Sequence, residues 1–413
     1  MMAHYQILVV GGGNAGLSTA SQLLIKDKSL KIGIIEPSDK HYYQPAWTLV
    51  GGGTFDINDT VKNEKDFIPK GATWIKDAVA TFEPEQNQVT CKSGDKHTYD
   101  YLVVAPGIQL DWHKVKGLKE TLGKNGVTSN YLFKYAPYTW ELLRNFKGGN
   151  AIFTNPNTPI KCGGAPQKIT YLVGDYFLKH GLKDKSNIHF YSGGGVIFGI
   201  KKYADTLNKV IDRYGIQTHF KHNLVEIDGP KKLAWFENAD GQRVEQAFDF
   251  IHVTPPQSAP DFIKFSKLAI QHPDLSEGTP CSPADLTHDY LGWVDVDKFT
   301  LQHKRYPNVF SCGDVANTPN AKTGAAVRKQ VPVLVENLLH VKNGGSLTGK
   351  YTGYGSCPLV TGYGKLVLAE FDYDNNPMET FPFDQGKERY SMWLLKKHVL
   401  PWMYWHRILQ GRA

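Results

Sequence analysis

Short, continuously apolar runs that close on glycine-rich turns recur along this chain. Tyr5 to Val10 leads into Gly11-Gly12-Gly13-Asn14-Ala15-Gly16, then an amphipathic helical pattern through about Asp27 and a second apolar run, Lys31 to Glu36. Runs this short without polar alternation predict strands covered on both faces, as in a parallel sheet. The opening therefore reads as a βαβ unit in an α/β protein.

The glycines of the first turn have separate jobs. Gly11 makes the tight turn, Gly13 lets backbone amides approach a pyrophosphate, and Gly16 permits close packing of helix on strand. Glu36 follows Gly16 by about twenty residues, where a carboxylate accepts hydrogen bonds from an adenosine ribose. An acid there favours FAD or NAD over a 2′-phosphorylated cofactor. Tyr99 to Gly107 and Tyr306 to Asp314 repeat the strand-then-turn pattern, the second ending in Gly313-Asp314, a combination suited to a flavin ribityl chain. These three segments, in this order, resemble flavoproteins built from two dinucleotide-binding domains. The resemblance implies an α/β fold with two Rossmann-like domains, and FAD held by Gly11, Gly13, Asn14, Ala15, Gly16, Glu36, Pro37, Gln44, Ala105, Gly107, Gly313, Asp314, Lys322 and Thr323. Lys322 placed near the pyrimidine edge of a flavin would stabilise negative charge there. On the sequence alone a solvated loop lysine is an equal reading.

A further run, Asn187 to Tyr191, leads to Ser192-Gly193-Gly194-Gly195-Val196-Ile197-Phe198-Gly199. This is where a second nucleotide domain would bind NADH. Bulky Val196, Ile197 and Phe198 fill the turn, Lys201 and Lys202 follow, and the next strand, Thr218 to Phe220, ends without an acid. The expectation is a retained fold with a degraded NADH site. The domains expected are residues 1–150 with 295–335 for FAD, 151–294 for the second Rossmann-like unit, and 336–413 for quinone and membrane contact. Residues 264–289, rich in Pro, Ser, Asp and His, read as a surface insertion in which Cys281 is incidental.

Composition narrows the partners. A net charge of +7 over 413 residues is modest and scattered, with no basic stripe interleaved with aromatics, which excludes a nucleic-acid groove and leaves an anionic lipid surface open. Five dispersed cysteines are too few for a disulfide framework. No metal site is expected. A strand starting near Tyr5 leaves no room ahead of it for a leader peptide in this sequence. No run of about 18 apolar residues predicts a spanning helix. The C-terminal run Tyr390 to Leu395 and Val399 to Trp405 holds three tryptophans among flanking cations, the mixture found in interfacial helices, and Pro401 should split it in two. A pair of helices covering the core is the alternative.

Cys162 lies in Lys161-Cys162-Gly163-Gly164-Ala165-Pro166, ahead of a predicted helix from Gln167 to Lys179, with Lys161 and Lys168 nearby. Both the helix start and the cations lower a thiol pKa. Taken alone, the residue is equally compatible with packing. Cys357, in Gly355-Ser356-Cys357-Pro358, is remote in sequence. With His41 to Gly51, Pro156 to Cys162, Gly292 to Asp297, Ser356 to Tyr363 and Glu379 to Gln385, the chain resembles the sulfide:quinone oxidoreductases, in the branch that includes the mitochondrial enzymes. That resemblance implies Cys162 and Cys357 as a catalytic disulfide or sulfur-bridged pair beside FAD. It further implies hydrogen sulfide as donor, ubiquinone or menaquinone as acceptor, and a small acceptor such as sulfite, glutathione or cyanide for the sulfane sulfur. Tyr363, Phe381 and Phe383 are candidates for the quinone channel, and Lys387 for its carbonyl. The membrane would be bacterial or the mitochondrial inner one, with a homo-oligomer open. The alternatives are a type II NADH:quinone oxidoreductase, which needs an intact second nucleotide site, and a FAD-containing sulfur carrier or redox sensor.

Overall fold

The computed structural model describes residues 2–287 and 290–413. In chain order the elements that place the site are β1 (Met2–Val10), α1 (Asn14–Lys26), β2 (Ile32–Ile35), β3 (Ala72–Ile75), β4 (Val79–Glu83), β5 (Gln88–Cys91) and β6 (Lys96–Val104). There follow β7 (Val127–Thr128), β8 (Gly149–Asn155), α2 (Ala165–Lys179), β9 (Ser186–Ser192), α3 (Lys201–Tyr214), β10 (Ile216–Phe220) and β11 (Phe250–His252). The last are β12 (Val309–Ser311), α4 (Gly324–Lys342), β13 (Gly355–Gly362) and β14 (Lys365–Phe371).

The apolar runs do form buried parallel strands. One sheet runs β3-β2-β1-β6, with β12 beside the C-terminal half of β6 and the antiparallel pair β4-β5 beside its N-terminal half. Register sets Val10 level with Ile35 and Val104, so their glycine turns open along one sheet edge. Ligands of open α/β sheets sit at that carboxyl edge. A second parallel sheet runs β7-β11-β8-β9-β10. It begins at Val127, ahead of the expected boundary at 151, and β8 straddles that boundary.

The β13-β14 hairpin packs on α2 and places Cys357 opposite Ala369. Residues 264–287 carry almost no regular structure, and Cys281 is buried against Ala269 and Tyr290. His288 and Asp289, the end of the expected insertion, lie outside the described residues.

The C-terminus corrects the expected break at Pro401. Residues 390–408 form one helical stretch in which α-turns alternate with wider π-turns at Leu395–Val399 and Tyr404–Ile408. The wider turn just ahead of Pro401 accommodates a residue with no N–H to donate and a ring that would strike an ordinary preceding turn. Nor do the three tryptophans share a surface. Trp393 and Trp405 are buried and only Trp402 is exposed, at 57%. No helix among the described residues is long and apolar enough to cross a membrane.

Candidate functional site

The first glycine turn has the shape a dinucleotide pyrophosphate needs. Gly11 sits at φ +102°, and a side chain there would meet the Ala105 carbonyl oxygen at 2.5 Å. A methyl on Gly16 would strike the Gly11 carbonyl, so helix and strand could not pack this closely with any other residue. Gly13, which precedes α1, has open space where a side chain would stand, as does Gly107. The amide ends of α1 beside Asn14 and Ala15 therefore face a free cradle. Gly313, at φ +80°, packs on Ala15, and its N–H donates to Gln330 Oε1 at 2.8 Å. Glu36 accepts from the Gly12 N–H at 2.7 Å and the Ser38 N–H at 2.8 Å, next to exposed Pro37. Donors, glycines and acid fit a dinucleotide.

The two remote cysteines converge. The Cys357 thiol hydrogen-bonds the Cys162 sulfur, and both cysteines are free. Cys162 holds φ +57°, a left-handed conformation that costs a non-glycine residue about 1–2 kcal/mol. Its N–H donates to the Lys322 carbonyl at 2.7 Å, and its own carbonyl accepts from Ala165 N–H at 2.7 Å at the start of α2. This clamp points the sulfur at Cys357 and ties it to the last nucleotide-binding segment, where Lys161 and Lys322 pair as neighbouring backbone. Strain maintained by surrounding structure is a mark of functional sites.

Electrostatics separate this thiol from the others. The Cys357 hydrogen bond, followed by Lys168, whose Nζ donates to Cys162 Sγ at 2.9 Å, holds the Cys162 thiol well below its usual range against the opposing effect of burial. Cys357 moves the other way, because it gives its proton to that contact and is itself buried. Burial pushes Cys91 to about 11 and Cys312 to about 12. Cys162 is thus the thiolate and Cys357 the thiol of an asymmetric pair. Replacing Lys168 with Met should raise the Cys162 thiol pKa, because it removes the cation that favours the thiolate. The check is the pH profile of alkylation, and a superimposable profile would contradict the assignment.

Lys396 is a site residue that sequence reasoning missed. It belongs to the C-terminal helix, is 4% exposed, and donates to the Pro45 carbonyl at 2.9 Å. Burial and the neighbouring Lys168 cation bring its pKa down to about 7, opposed by Cys162 and Cys357. Its only sequence signal was a lysine interrupting an apolar run. Lys161 donates to Gln44 Oε1 at 2.5 Å, while burial lowers both Lys161 and Lys322 to about 8 despite Asp314. Lys322 is buried, not a solvated loop residue: its Nζ lies 3.9 Å from the Trp293 ring centroid and donates to the Ala316 carbonyl at 3.0 Å. Thr323 caps α4 by accepting from Ala326 N–H.

Among the quinone candidates, Tyr363 donates from its hydroxyl to the Gly52 carbonyl at 2.8 Å, and Phe381 stacks on Phe383 with centroids 5.3 Å apart. All three pack against the core that contains Cys357. Lys387 does not join them. Its side chain is 74% exposed and faces Asp384 at 3.8 Å, so it lines no enclosed recess.

The turn before α3 keeps its strand, with room at Gly195 and Gly199 but none at Gly193. A side chain on Gly193 would meet the Asn157 amide at 2.6 Å, and Phe198 packs on Tyr203 and Phe371. Lys202 pairs with Glu379 at 2.7 Å and Asp384 at 3.1 Å, and Thr206 donates to the Gly386 carbonyl at 2.6 Å. The segment 379–388 is therefore docked on the helix that would point at a second pyrophosphate.

Fold and site together define a flavoprotein-type oxidoreductase with a paired-cysteine centre. Residues 5–138 match the pyridine nucleotide-disulphide oxidoreductase family. The chain is 51% identical over 409 residues to the mitochondrial sulfide:quinone oxidoreductase of Dictyostelium discoideum, covering 98% of this chain and 86% of that protein. It is 45% identical to the Mus musculus protein of the same name, covering 99% and 87%. The crystal structure of the sulfide:quinone oxidoreductase from Aquifex aeolicus superimposes with a TM-score of 0.81 at 19% identity, covering 99% of this chain and 92% of that one, a likeness of fold. The chain belongs to the sulfide:quinone oxidoreductase family.

Proposed function

We propose that this enzyme oxidises sulfide at Cys162 and Cys357 and delivers two electrons, by way of FAD, to a membrane quinone. The observation that carries the reading is the convergence of the two sulfurs, one held as thiolate beside Lys168 and one as thiol, next to the last nucleotide-binding segment. Bound FAD would supply the two-electron carrier between sulfur and quinone. Gly11, Gly13, Gly16 and the α1 amides hold its pyrophosphate, Glu36 its ribose, and Gly313 with Asp314 its ribityl and phosphate region.

The protein's part in the chemistry is thiol exchange. With the pair oxidised as a disulfide, hydrosulfide attacks the sulfur of Cys357. The new S–S bond forms there, while the bond to Cys162 breaks and its electron pair leaves on Cys162 as thiolate. Lys168 lowers the energy of that leaving thiolate, and a low-pKa thiol leaves fastest. An acceptor of the thiol or sulfite class then removes the outer sulfur, and loss of two electrons closes the pair again. The segment 379–388 docked on α3 and the bulky Val196, Ile197 and Phe198 of the second glycine turn favour sulfide over NADH as the donor.

Anaerobic rapid mixing of the purified protein with sulfide, then with quinone, tests donor, carrier and acceptor in order. Bleaching of the flavin by sulfide and its return on quinone addition are expected, with NADH giving less than about one hundredth of the sulfide rate, a loss of more than about 2.7 kcal/mol. Bleaching by NADH and not by sulfide would overturn the reading in favour of an NADH dehydrogenase.

The quinone is placed along Tyr363, Phe381 and Phe383, reached from the bilayer. Exposed Tyr390, Leu394, Val399 and Trp402 on the C-terminal helix supply a surface for peripheral membrane binding. The relatives named as mitochondrial favour the mitochondrial membrane over a bacterial one.

A further inference from the structure

A buried polar chain joins the C-terminal helix to the first glycine turn. Tyr404 is 7% exposed, His41 4% and Glu64 1%. His41 Nε2 lies 2.7 Å from the Tyr404 hydroxyl, and His41 Nδ1 lies 2.9 Å from Glu64 Oε2. Burial keeps the Tyr404 hydroxyl protonated. It can then donate to Nε2, which leaves the imidazole proton on Nδ1 to donate to Glu64. The second carboxylate oxygen, Glu64 Oε1, is buried without a partner among the described residues. It is aimed at the glycine turn, since a side chain on Gly12 would strike both Glu64 Oε1 and the Glu36 side chain.

A desolvated carboxylate oxygen with no donor is costly, so its persistence in the fold needs a partner. Two carboxylates at one glycine also repel each other. A ligand carrying two adjacent hydroxyls satisfies both, donating one hydrogen bond to each acid. The dinucleotide expected in this cradle brings such a group in its adenosine ribose.

We propose that Glu64 is a second ribose-facing carboxylate beside Glu36, held in place by His41 and Tyr404, so that the C-terminal helix contributes to FAD affinity. The inference rests on the FAD reading above. Two acids at the ribose also reject a 2′-phosphate more strongly than one. The C-terminal helix is well placed to transmit this, because Ser18 and Ser21 of α1 donate to the Ile408 and Leu409 carbonyls at 3.0 and 2.7 Å. By reciprocity, whatever strengthens docking of this helix strengthens FAD binding, and the reverse.

The test is reconstitution of the full-length apoprotein with FAD and, separately, with FMN, which lacks the adenosine, following quenching of flavin fluorescence. Glu64→Gln is expected to weaken FAD binding about tenfold or more and to leave FMN binding unchanged. Tyr404→Phe keeps the ring packing and should weaken FAD in the same direction by about fivefold, again leaving FMN binding unchanged. Unchanged FAD affinity in both variants would overturn the inference, the free oxygen then meeting only buried water. Equal weakening of FAD and FMN would also overturn it, as general damage to the turn. A wild-type protein that binds neither flavin would instead defeat the reading on which it rests.

Discussion

Replacing Cys357 with serine should lower sulfide-dependent quinone reduction by at least about a thousandfold, roughly 4 kcal/mol of transition-state stabilisation, and Cys162→Ser should do the same. Neither serine can carry the sulfur-sulfur bond that hydrosulfide must attack, and a serine hydroxyl remains protonated where Cys162 is held as thiolate. The two losses should not add, because the pair acts as a unit. Flavin content should stay at the wild-type level in both variants, since the glycine turns, Glu36 and Asp314 are untouched. Steady-state quinone reduction and the visible spectrum check the two halves. Cys312→Ala is the matched control. It removes a buried, fully protonated thiol from the core of the first sheet, so it should cost stability and leave turnover near wild type. Retention of a tenth of the activity in either Cys162→Ser or Cys357→Ser would remove the sulfur pair from the mechanism.

The second large effect concerns the outer face of the C-terminal helix. Leu394→Glu combined with Trp402→Glu should weaken binding to anionic phospholipid vesicles by about a hundredfold. Each side chain buries in the interface at a gain of about 1.5–3 kcal/mol, and a carboxylate there loses that gain and is repelled by the lipid charge. Both positions are exposed, at 38% and 57%, and the core should survive. Flavin bleaching by sulfide should therefore be unchanged, while turnover with a vesicle-embedded quinone falls in step with binding. Co-sedimentation with vesicles reads the first quantity. Binding undiminished by the double substitution would show that this stripe is not the membrane face. Trp405→Glu is not an equivalent probe, because Trp405 packs with Tyr43 and Phe67 in the first domain and its replacement would open the core.

What could be read without coordinates was local. The strand-turn-helix around Gly11, Gly13 and Gly16, the acid at the end of β2, and the later turns at Gly107 and Gly313 are short-range patterns, because backbone conformation and pyrophosphate geometry act within a few residues. The contribution of Lys168 to the low pKa of Cys162 was legible for the same reason, as it lies within two turns of the thiol, whereas the larger contribution of the Cys357 hydrogen bond was not. The family resemblance extended that reading to Cys357 through residues flanking each cysteine.

Long-range packing decided the rest. Bringing Cys357 against Cys162 depends on the β13-β14 hairpin lying on α2, and nothing near either cysteine encodes that approach. The contacts of Lys396 with Pro45 and of Tyr404 with His41 join positions hundreds of residues apart, and no spacing rule links them. Trp393 and Trp405 face inward, Lys387 faces solvent, and the helix passes Pro401 through a wider turn, all against local expectation. In each case composition gave the side chain's chemistry and the tertiary contacts chose its partner. The sequence determined a nucleotide cradle by itself and offered Cys162 as a candidate thiol; only the folded chain decided what stands opposite each of them, because solvent exclusion and pairing are properties of the assembled core.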